Sequence, residues 1–397
     1  MTAPAPIYLH HVAVSCALGD GLAAVRAAAF GSQPADTLTL TERYSPGRVL
    51  PVGQVPSELP SLAHLPANLR SRNNALLAHV LHGVRHELDA AISRFGPHRV
   101  GVVLGTSTSG MSDGEDALAR HTRTGTWPEG FSYDLQELGS PARFVARELG
   151  VSGPAYVVST ACSSSAKALA SAARLLRTGL VDVVLAGGCD TLCRLTVGGF
   201  SALESVSDER CNPLSANRKG INLGEGAALF VMSRESGPAR LSGWGETSDA
   251  HHMSAPDPTG RGAADAMRHA LRRAGLDAEA IDYVNLHGTA TPHNDAMESL
   301  AVADVIGLST PCSSTKPLTG HTLGASGAIE AALAWLTVVD NPQGHLPGHV
   351  FDGARDPALP AIQIAAPGAA LGRAPRHVLS NSFAFGGSNA SLVISAA

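Results

Sequence analysis

The chain has 397 residues, with 44% hydrophobic side chains, only 4% aromatic ones and a formal net charge of −5 at pH 7. This length suffices for two fused folding units, whose cores must consist mainly of Ala, Val and Leu. The charge argues against a nucleic-acid-binding protein whose whole surface is basic. No apolar run approaches membrane-spanning length, and residues 1–20 show no secretory leader. Together with six Cys that lack disulfide-like spacing, these features predict a cytoplasmic protein.

The first half of the chain alternates short Val/Ile/Leu-rich runs with Ala-rich helical patterns. Such alternation is typical of the α/β class, in which helices cover buried strands. The predicted strands are residues 7–15, 99–104, 155–159, 182–186 and 227–233. The predicted helices are 73–91, 141–149 and 163–178, and the Pro- and polar-rich segment 36–60 is predicted to be loop.

The second half repeats this order of elements. Its predicted strands are residues 239–244, 282–286, 377–379 and 391–395, its predicted helices are 262–274, 295–306 and 325–338, and 341–375 is loop-rich. In each half a strand leads directly to a chemically active residue, Cys162 in the first and His287 in the second. We therefore predict an internal duplication that divides the chain into residues 1–240 and 241–397.

Cys162 follows a Val-rich run and precedes an Ala-rich helical pattern. We interpret this as a strand that leads through a tight turn to a helix whose N-terminus carries the thiol. The unpaired N–H groups of a helix N-terminus favour the thiolate, which is the nucleophilic form. A buried Cys that serves as a small apolar residue is the competing interpretation. Two histidine motifs further along the chain favour the nucleophile.

These motifs are Asn-Leu-His-Gly-Thr-Ala-Thr, which contains His287, and Lys-Pro-Leu-Thr-Gly-His, which ends at His321. A further motif, Asn-Ser-Phe-Ala-Phe-Gly-Gly, occupies residues 381–387. All three are dense in Gly and other small residues, which allow the backbone to approach a ligand closely. Such turns let backbone N–H groups point into a site.

In this order the motifs resemble those of the elongating, decarboxylating β-ketoacyl-acyl carrier protein synthases of the thiolase-like superfamily. The resemblance extends from about Gly105 to Asn389 and includes Asn-Leu-Gly-Glu-Gly-Ala-Ala at 222–228. It implies an α/β thiolase-like fold with two similar layered α-β-α-β-α halves, commonly as a dimer. It also implies a catalytic triad. By motif match this triad and its supporting charged pair fall on Cys162, His287, His321, Lys316 and Glu330.

The reaction that this resemblance implies begins with acyl transfer from a carrier thioester to Cys162, which divides one condensation into two steps. The oxyanion needs fixed donors, and the resemblance assigns them to the backbone N–H groups of Cys162 and Phe385. In the second step a malonyl-type thioester loses its carboxylate, and N–H donors of His287 and His321 hold the enolate. No metal or bound cofactor is expected, since the acyl carrier protein brings the phosphopantetheine.

The resemblance assigns further residues to substrate and partner binding. Thr289 and Thr291 are expected at the phosphopantetheine arm, although two turn threonines would give the same pattern. Phe383 and Thr108 are expected at the substrate, with a plain polar turn as an equal alternative for Thr108. Phe385 is expected to gate the acyl pocket, with an ordinary packed aromatic side chain as the alternative. Carrier proteins are acidic, so Arg70 and Arg72, which precede the helix predicted at 73–91, are expected to dock the carrier. The alternative is that both are ordinary solvated arginines. Whether Lys316 and Glu330 act in catalysis or form a structural salt bridge stays open.

Some motif positions depart from the family's usual residues, but no reacting atom is lost: Ala290, Asn294, Pro317 and Ala384. These departures indicate a specialised branch, of which the aryl-polyene enzymes are the nearest. A thiolase-type acyltransferase is an alternative, but it needs a second reactive Cys near the C-terminus, and the last Cys here is Cys312. The enzyme is expected as a homodimer, or as a heterodimer that is active only beside a non-catalytic subunit resembling a chain length factor.

Overall fold

An 11-stranded sheet runs through the chain, which the computed structural model describes over residues 5–397. The strands of the first half are β1 (Tyr8–Cys16), β2 (Gly19–Asp20), β3 (Leu38–Thr41), β4 (Leu50–Gly53), β5 (Val100–Gly105), β6 (Ala155–Val158), β7 (Val183–Asp190) and β8 (Gly226–Ser233). Those of the second half are β9 (Ala239–Ser248), β10 (Tyr283–Asn285), β11 (Cys312–Ser313), β12 (His377–Ala384) and β13 (Ser388–Ala396). β3 and β4 form a separate hairpin.

The two halves share one strand order. When the two-residue β2 and the separate β3–β4 hairpin are left out, the first half is arranged β6-β5-β7-β8-β1 and the second β11-β10-β12-β13-β9. Both halves then follow the order third-second-fourth-fifth-first, counted along the chain. The parallel and antiparallel pairs also correspond: β5 is parallel to β6 and β7, as β10 is to β11 and β12. The halves join where Tyr8 and Leu9 pair with Arg240 and Ala239. This shared order fits the two similar halves that the resemblance implies, and the division at residue 240 stays a prediction.

Helices form three layers around the sheet. They are α1 (Gly21–Ala29), α2 (Arg72–Leu81), α3 (Arg85–Phe95), α4 (Met111–Thr124), α5 (Ser140–Leu149), α6 (Ser164–Arg177), α7 (Arg194–Ala202), α8 (Arg261–Ala274), α9 (Pro292–Val305), α10 (Lys316–Thr319) and α11 (Ser326–Val338). α6 and α11 contact each other and strands of both halves, so they form the central layer. Between residues 5 and 397 the structure contains no helix with the length and apolarity that crossing a bilayer requires.

Small side chains allow this central layer to pack tightly. Every residue of α11 is buried, and a Cβ atom added to Gly327 would lie 2.8 Å from the Cβ of Ala166 in α6. The surrounding core is rich in Ala, Val and Leu, as the low aromatic content predicts. α6 begins just after Cys162 and α11 just after His321, so this close packing sets the distance between these two residues.

Each predicted strand corresponds to an observed one, but two other predictions are wrong. The segment 36–60 is not all loop, because it contains the β3–β4 hairpin. The helix predicted at 73–91 is two helices, α2 and α3, separated by a 3-10 turn at His82–Val84. Within that turn a Cβ on Gly83 would lie 3.0 Å from the Cβ of Ala13 in β1. Glycine therefore lets the chain pass close to the sheet at this break.

Candidate active site

Cys162 lies in a short turn between β6 and α6, as the sequence predicts. Ala161 has φ 52°, in the left-handed region that costs a non-glycine residue about 1–2 kcal/mol. Ser164 holds this turn in place: its hydroxyl accepts the N–H of Thr160 at 2.9 Å and donates to the carbonyl of Ala161 at 2.5 Å. The turn places the thiol at the start of α6, where Cys162 is 4% exposed.

The fold brings both predicted histidines to this sulfur. His321 Nε2 lies 3.0 Å from Cys162 Sγ. Sγ and one ring nitrogen of each histidine lie within 4.8 Å of one another. The two imidazole rings are edge to face, with centroids 5.3 Å apart. His287 follows β10 in the second half, and His321 lies between α10 and α11, so the triad is assembled from three separate segments.

Lys316 decides which nitrogen of His287 carries the proton. Its Nζ lies 3.4 Å from His287 Nδ1 and also donates to the His287 carbonyl and, at 2.5 Å, to Glu330 Oε1. An ammonium group can only donate, so Nδ1 is the acceptor and Nε2 carries the hydrogen. Burial, and then the charge of Lys316, lower the pKa of both His287 and His321 well below the usual value. Both imidazoles are therefore neutral.

This tautomer also bears on metal binding. The spacing of the three ligand atoms would suit a metal ion. A metal at His287 Nε2 would require the proton to move to Nδ1, against the Lys316 ammonium. The group is thus better suited to donate hydrogen bonds to an anion than to coordinate a cation.

The resting thiol is protonated, contrary to the expectation from the helix terminus. Burial raises the pKa of Cys162 to about 12, although Lys316 and the N–H groups of Phe385 and Cys162 act in the opposite direction. Burial therefore changes the pKa of this thiol more than the helix N-terminus does. The neutral imidazole of His321 lies at hydrogen-bond distance from the sulfur, so it can accept the thiol proton when the sulfur attacks.

The turn Phe385–Gly387, which we name the gating turn after its predicted role, carries the second predicted oxyanion donor. The N–H groups of Cys162 and Phe385 lie close enough to the sulfur to act against the raised pKa of its thiol. Gly386 and Gly387 have φ 80° and 70°, and a Cβ on Gly387 would lie 2.8 Å from the Cβ of Asp249. Glycine is required at both positions because their backbone is left-handed. The ring of Phe385 packs against Phe200, with centroids 5.3 Å apart.

A narrow pocket of about 70 Å³ leads to the triad. Its lining includes the predicted substrate residues Thr289, Thr291 and Phe383, together with Phe385, the predicted gate. The two threonine hydroxyls are 3.0 Å apart. Sequence reasoning missed other lining residues: Phe200 lies in α7, and Ser205, Ile221, Ser254 and Pro256 lie outside the helices and strands. His293, in the first turn of α9, also lines the pocket.

Thr108 is not among the residues that line this pocket. Its hydroxyl and its N–H both donate to Asp190 Oδ1 at 2.8 Å. Asp190 Oδ2 in turn accepts the N–H of Gly324 at 2.6 Å, which ties this loop to the segment after His321. The structure therefore corrects the prediction for Thr108: its polar atoms brace the site from behind.

Arg72 likewise differs from its predicted docking role. Its guanidinium forms a two-pronged pair with Glu225, at 2.6 and 3.3 Å, and the Glu225 side chain is 0% exposed. The arginine thus neutralises a buried carboxylate, which contradicts a free docking role. Arg70 is exposed, and its Nε donates to the Leu65 carbonyl at 2.6 Å.

Glu298 in α9 supports the His287 turn and was missed by the sequence analysis, since a lone Glu in a helix carries no motif. It accepts the N–H groups of His287 and Gly288, both at 2.7 Å. Burial raises its pKa from 4.5 to about 7. The carboxyl therefore binds its proton more tightly in the folded protein than in the unfolded chain.

This raised pKa predicts a pH dependence of stability. The contribution of Glu298 is complete below about pH 4.5 and is lost as pH rises through about 7. A shift of this size corresponds to about 3 kcal/mol. We expect Glu298→Gln, measured by urea unfolding at pH 5 and pH 8, to lose less free energy of unfolding between the two pH values than the wild type does. Equal losses in both proteins would contradict the assignment.

Several known proteins resemble this chain. Two family models match consecutive parts of the chain: "Beta-ketoacyl synthase, N-terminal domain" over residues 86–237 and "Beta-ketoacyl synthase, C-terminal domain" over 238–342. The 3-oxoacyl-[acyl-carrier-protein] synthase 2 of Rhizobium meliloti is 39% identical, over 61% of this chain and 61% of its own length. Nodulation protein E of the same species is 36% identical over 75% of both chains.

Solved structures extend the similarity to the whole chain. A ketosynthase from Xenorhabdus doucetiae, solved in complex with its chain length factor, has a TM-score of 0.92 and 43% identity, over 99% of this chain and 98% of that one. A β-ketoacyl synthase from Burkholderia phymatum has a TM-score of 0.84 and 27% identity, over 99% and 100%. The thiolase-like fold predicted from the motifs is thereby confirmed. The chain belongs to the β-ketoacyl synthase family, whose members are acyltransferases.

Proposed function

We propose that this enzyme joins an acyl group held on Cys162 to a malonyl unit on an acyl carrier protein, with loss of the malonyl carboxylate. One observation carries this proposal: Cys162 Sγ lies 3.0 Å from a neutral imidazole nitrogen of His321, and His287 presents a fixed N–H in the same pocket. A nucleophile and an enolate-binding donor in one pocket are the two requirements of decarboxylative condensation.

In the first step Sγ attacks the carbonyl carbon of the acyl-carrier thioester while its proton moves to His321 Nε2. The carbonyl oxygen becomes an oxyanion and accepts the N–H groups of Cys162 and Phe385. As the oxyanion collapses, the bond to the carrier sulfur breaks. His321 returns the proton to the leaving thiolate, and the acyl group remains on Cys162 as a thioester.

In the second step the malonyl carboxylate leaves as CO₂, and the electron pair of the broken C–C bond moves into the thioester to give an enolate. The N–H of His287 and that of His321 hold the enolate oxygen. The enolate carbon then attacks the acyl-Cys162 carbonyl. The Cys162 sulfur leaves as a thiolate, which takes one proton from solvent to restore the resting thiol, and the β-ketoacyl product departs on the carrier.

His321 needs a different tautomer in each step, and Ser326 can accommodate both. The Ser326 hydroxyl lies 3.0 Å from His321 Nδ1, and a hydroxyl can either accept or donate a hydrogen bond. When it accepts, Nε2 is free to take the thiol proton. When it donates, Nε2 carries the N–H that the enolate requires.

Lys316 and Glu330 are proposed to act through His287. The pair is fully buried, so the carboxylate offsets the charge of an ammonium that would otherwise be unpaired. By donating to Nδ1, Lys316 keeps the His287 N–H pointing at the substrate. In this proposal the Lys316–Glu330 pair is a structural salt bridge that also positions the His287 imidazole.

The acyl carrier protein is the proposed substrate-bearing partner, as the names of the curated relatives indicate for those proteins. Its phosphopantetheine arm would enter the pocket beside Thr289 and Thr291, whose hydroxyls can contact the amides of the arm. In this reaction the enzyme needs no cofactor of its own. A cytoplasmic location, where carrier and malonyl donor are made, completes the proposal.

A second subunit is proposed on the basis of the relatives. The Xenorhabdus ketosynthase and the ishigamide ketosynthase were both solved with a chain length factor. We propose that this chain pairs with such a subunit and supplies the nucleophile, with the homodimer as the alternative. Co-expression followed by determination of the native mass would distinguish the two states.

Carrier docking can be tested at Arg70 and Arg72, whose charge reversals should differ in their effects. Arg70→Glu is expected to weaken carrier binding most at low salt, because exposed charges are screened at high salt. Arg72→Glu is expected to lower the free energy of unfolding by about 3–5 kcal/mol, since it leaves Glu225 buried without a partner. Urea unfolding and carrier titrations at two salt concentrations would measure these effects. Unchanged carrier kinetics in Arg70→Glu would remove that residue from the docking surface.

The reaction itself is tested by intact-mass measurement of loaded carrier proteins before and after incubation with the enzyme and its candidate partner subunit. The expected product is a carrier whose mass exceeds that of the unloaded carrier by the acyl group plus a two-carbon unit. One CO₂ is released for each product formed. Product length and saturation would show whether the enzyme belongs to the specialised branch. Acyl exchange without loss of CO₂ would instead support the thiolase-type alternative.

A further inference from the structure

Lys167 lies in the first turn of α6, five residues after the nucleophile, and has no role in the steps described above. The chain contains only three lysines among its 29 Lys and Arg residues. Lys316 belongs to the active site, and Lys219 is 64% exposed at the surface. Lys167 is half-buried, and its Nζ donates to the hydroxyl of Ser388 at 2.6 Å.

Ser388 is the first residue after the gating turn and begins β13. Besides Lys167, it contacts Ser163, whose hydroxyl lies 3.2 Å from its own. Ser163 is the N-cap residue of α6 and directly follows Cys162. Both side-chain contacts of Ser388 therefore lead to the helix that follows the nucleophile.

The opposite side of the gating turn is held by another loop. The N–H of Asp249 donates to the carbonyl of Gly387 at 2.8 Å, and the Asn389 side chain donates to Asp249 Oδ1 at 2.6 Å. The turn contains two left-handed glycines, and Gly386 is exposed to solvent. The contacts from α6 therefore fix the position of the turn relative to Cys162. The contacts from Asp249 fix its position relative to the second half of the chain.

We propose that Lys167 is a positioning residue: through Ser388 it holds the gating turn at the place where the N–H of Phe385 faces Cys162 Sγ. This rests on the proposed function, in which that N–H stabilises the oxyanion of acyl transfer. The role suits a lysine because a compact ammonium on a flexible stem can reach a single hydroxyl, whereas a guanidinium is a planar fork. Glu246 and Arg174 are the other charged groups near its ammonium.

The test replaces Lys167 with Met, which keeps the length of the side chain and removes the ammonium. Formation of acyl-Cys162 is followed by mass spectrometry in a single turnover with saturating acyl-carrier. We expect loading to slow by about 10- to 100-fold, because a small displacement of a catalytic group has effects of this size. The KM for the acyl-carrier should stay unchanged. Decarboxylation of malonyl-carrier, measured in the Cys162→Ala background, should also stay unchanged because it uses the histidines.

Three further variants make the test specific. Ser388→Ala should slow loading as much as Lys167→Met does, and the double variant should be no slower than either one, because both break the same contact. Lys167→Arg, which keeps a donor, should restore part of the rate. Lys219→Met removes an exposed lysine by the same substitution and should leave loading unchanged.

Two results would overturn the proposal. The first is wild-type loading in Ser388→Ala and Lys167→Met. The second is a parallel loss of loading, decarboxylation and thermal stability, which would show a general structural role. If Lys167→Met does not fold, Ser388→Ala alone decides the question. Failure of the proposed function is a separate outcome, because the wild-type enzyme would then form no acyl-Cys162 at all.

Discussion

Replacing Cys162 with Ala is expected to lower condensation by about 10⁴-fold or more, while malonyl-carrier decarboxylation continues. The variant removes the atom that carries the acyl group, but it leaves the imidazoles of His287 and His321 in place. Product analysis with an acyl-carrier and a malonyl-carrier would measure condensation, and release of CO₂ would measure decarboxylation. Normal amounts of β-ketoacyl product would refute the nucleophile.

Cys16 offers a matched control for this variant. It is buried in β1, and burial raises its pKa to about 12, as it does for Cys162. Among the described residues, no imidazole forms a hydrogen bond with Cys16, whereas Cys162 lies 3.0 Å from His321 Nε2. Cys16→Ala should therefore leave condensation unchanged. If both variants lost activity equally, burial of a cysteine rather than its place beside His321 would explain the loss.

Removing either histidine is expected to slow decarboxylation by about 100- to 1000-fold, the usual effect of losing one donor to a developing oxyanion. His287→Ala should leave acyl loading nearly intact, because His321 is the imidazole in contact with the sulfur. His321→Ala should also slow loading, since the thiol loses its proton acceptor, but by a smaller factor than decarboxylation.

The two steps can be measured separately. Loading is followed by the mass of acyl-Cys162 in each single variant, and decarboxylation by CO₂ release in the Cys162→Ala background. Thermal unfolding of each variant shows whether the fold is retained. If His287→Ala lowered loading and decarboxylation by the same factor, the enolate role of His287 would be wrong.

Much of this protein follows from its sequence alone. The alternation of apolar strand runs with Ala-rich helical patterns predicted the α/β class and nine strands, because burial on both faces requires continuous apolar residues. Cys162, His287 and His321 could be named from motifs, since each lies in a turn rich in small residues after or between regular elements. The order of these motifs predicted the family.

Only the tertiary structure decided the roles of charged and polar groups whose partners are distant in the chain. Arg72 pairs with Glu225 across 153 residues and Thr108 with Asp190 across 82, and local sequence gives no sign of either contact. The tertiary structure also decides that the Cys162 thiol is protonated, because the depth of its burial depends on the packing of both halves. Sequence determined which groups are present and which turns carry them. Packing determined their charge, tautomer and direction, because desolvation and hydrogen bonding act only between groups that the fold has brought together.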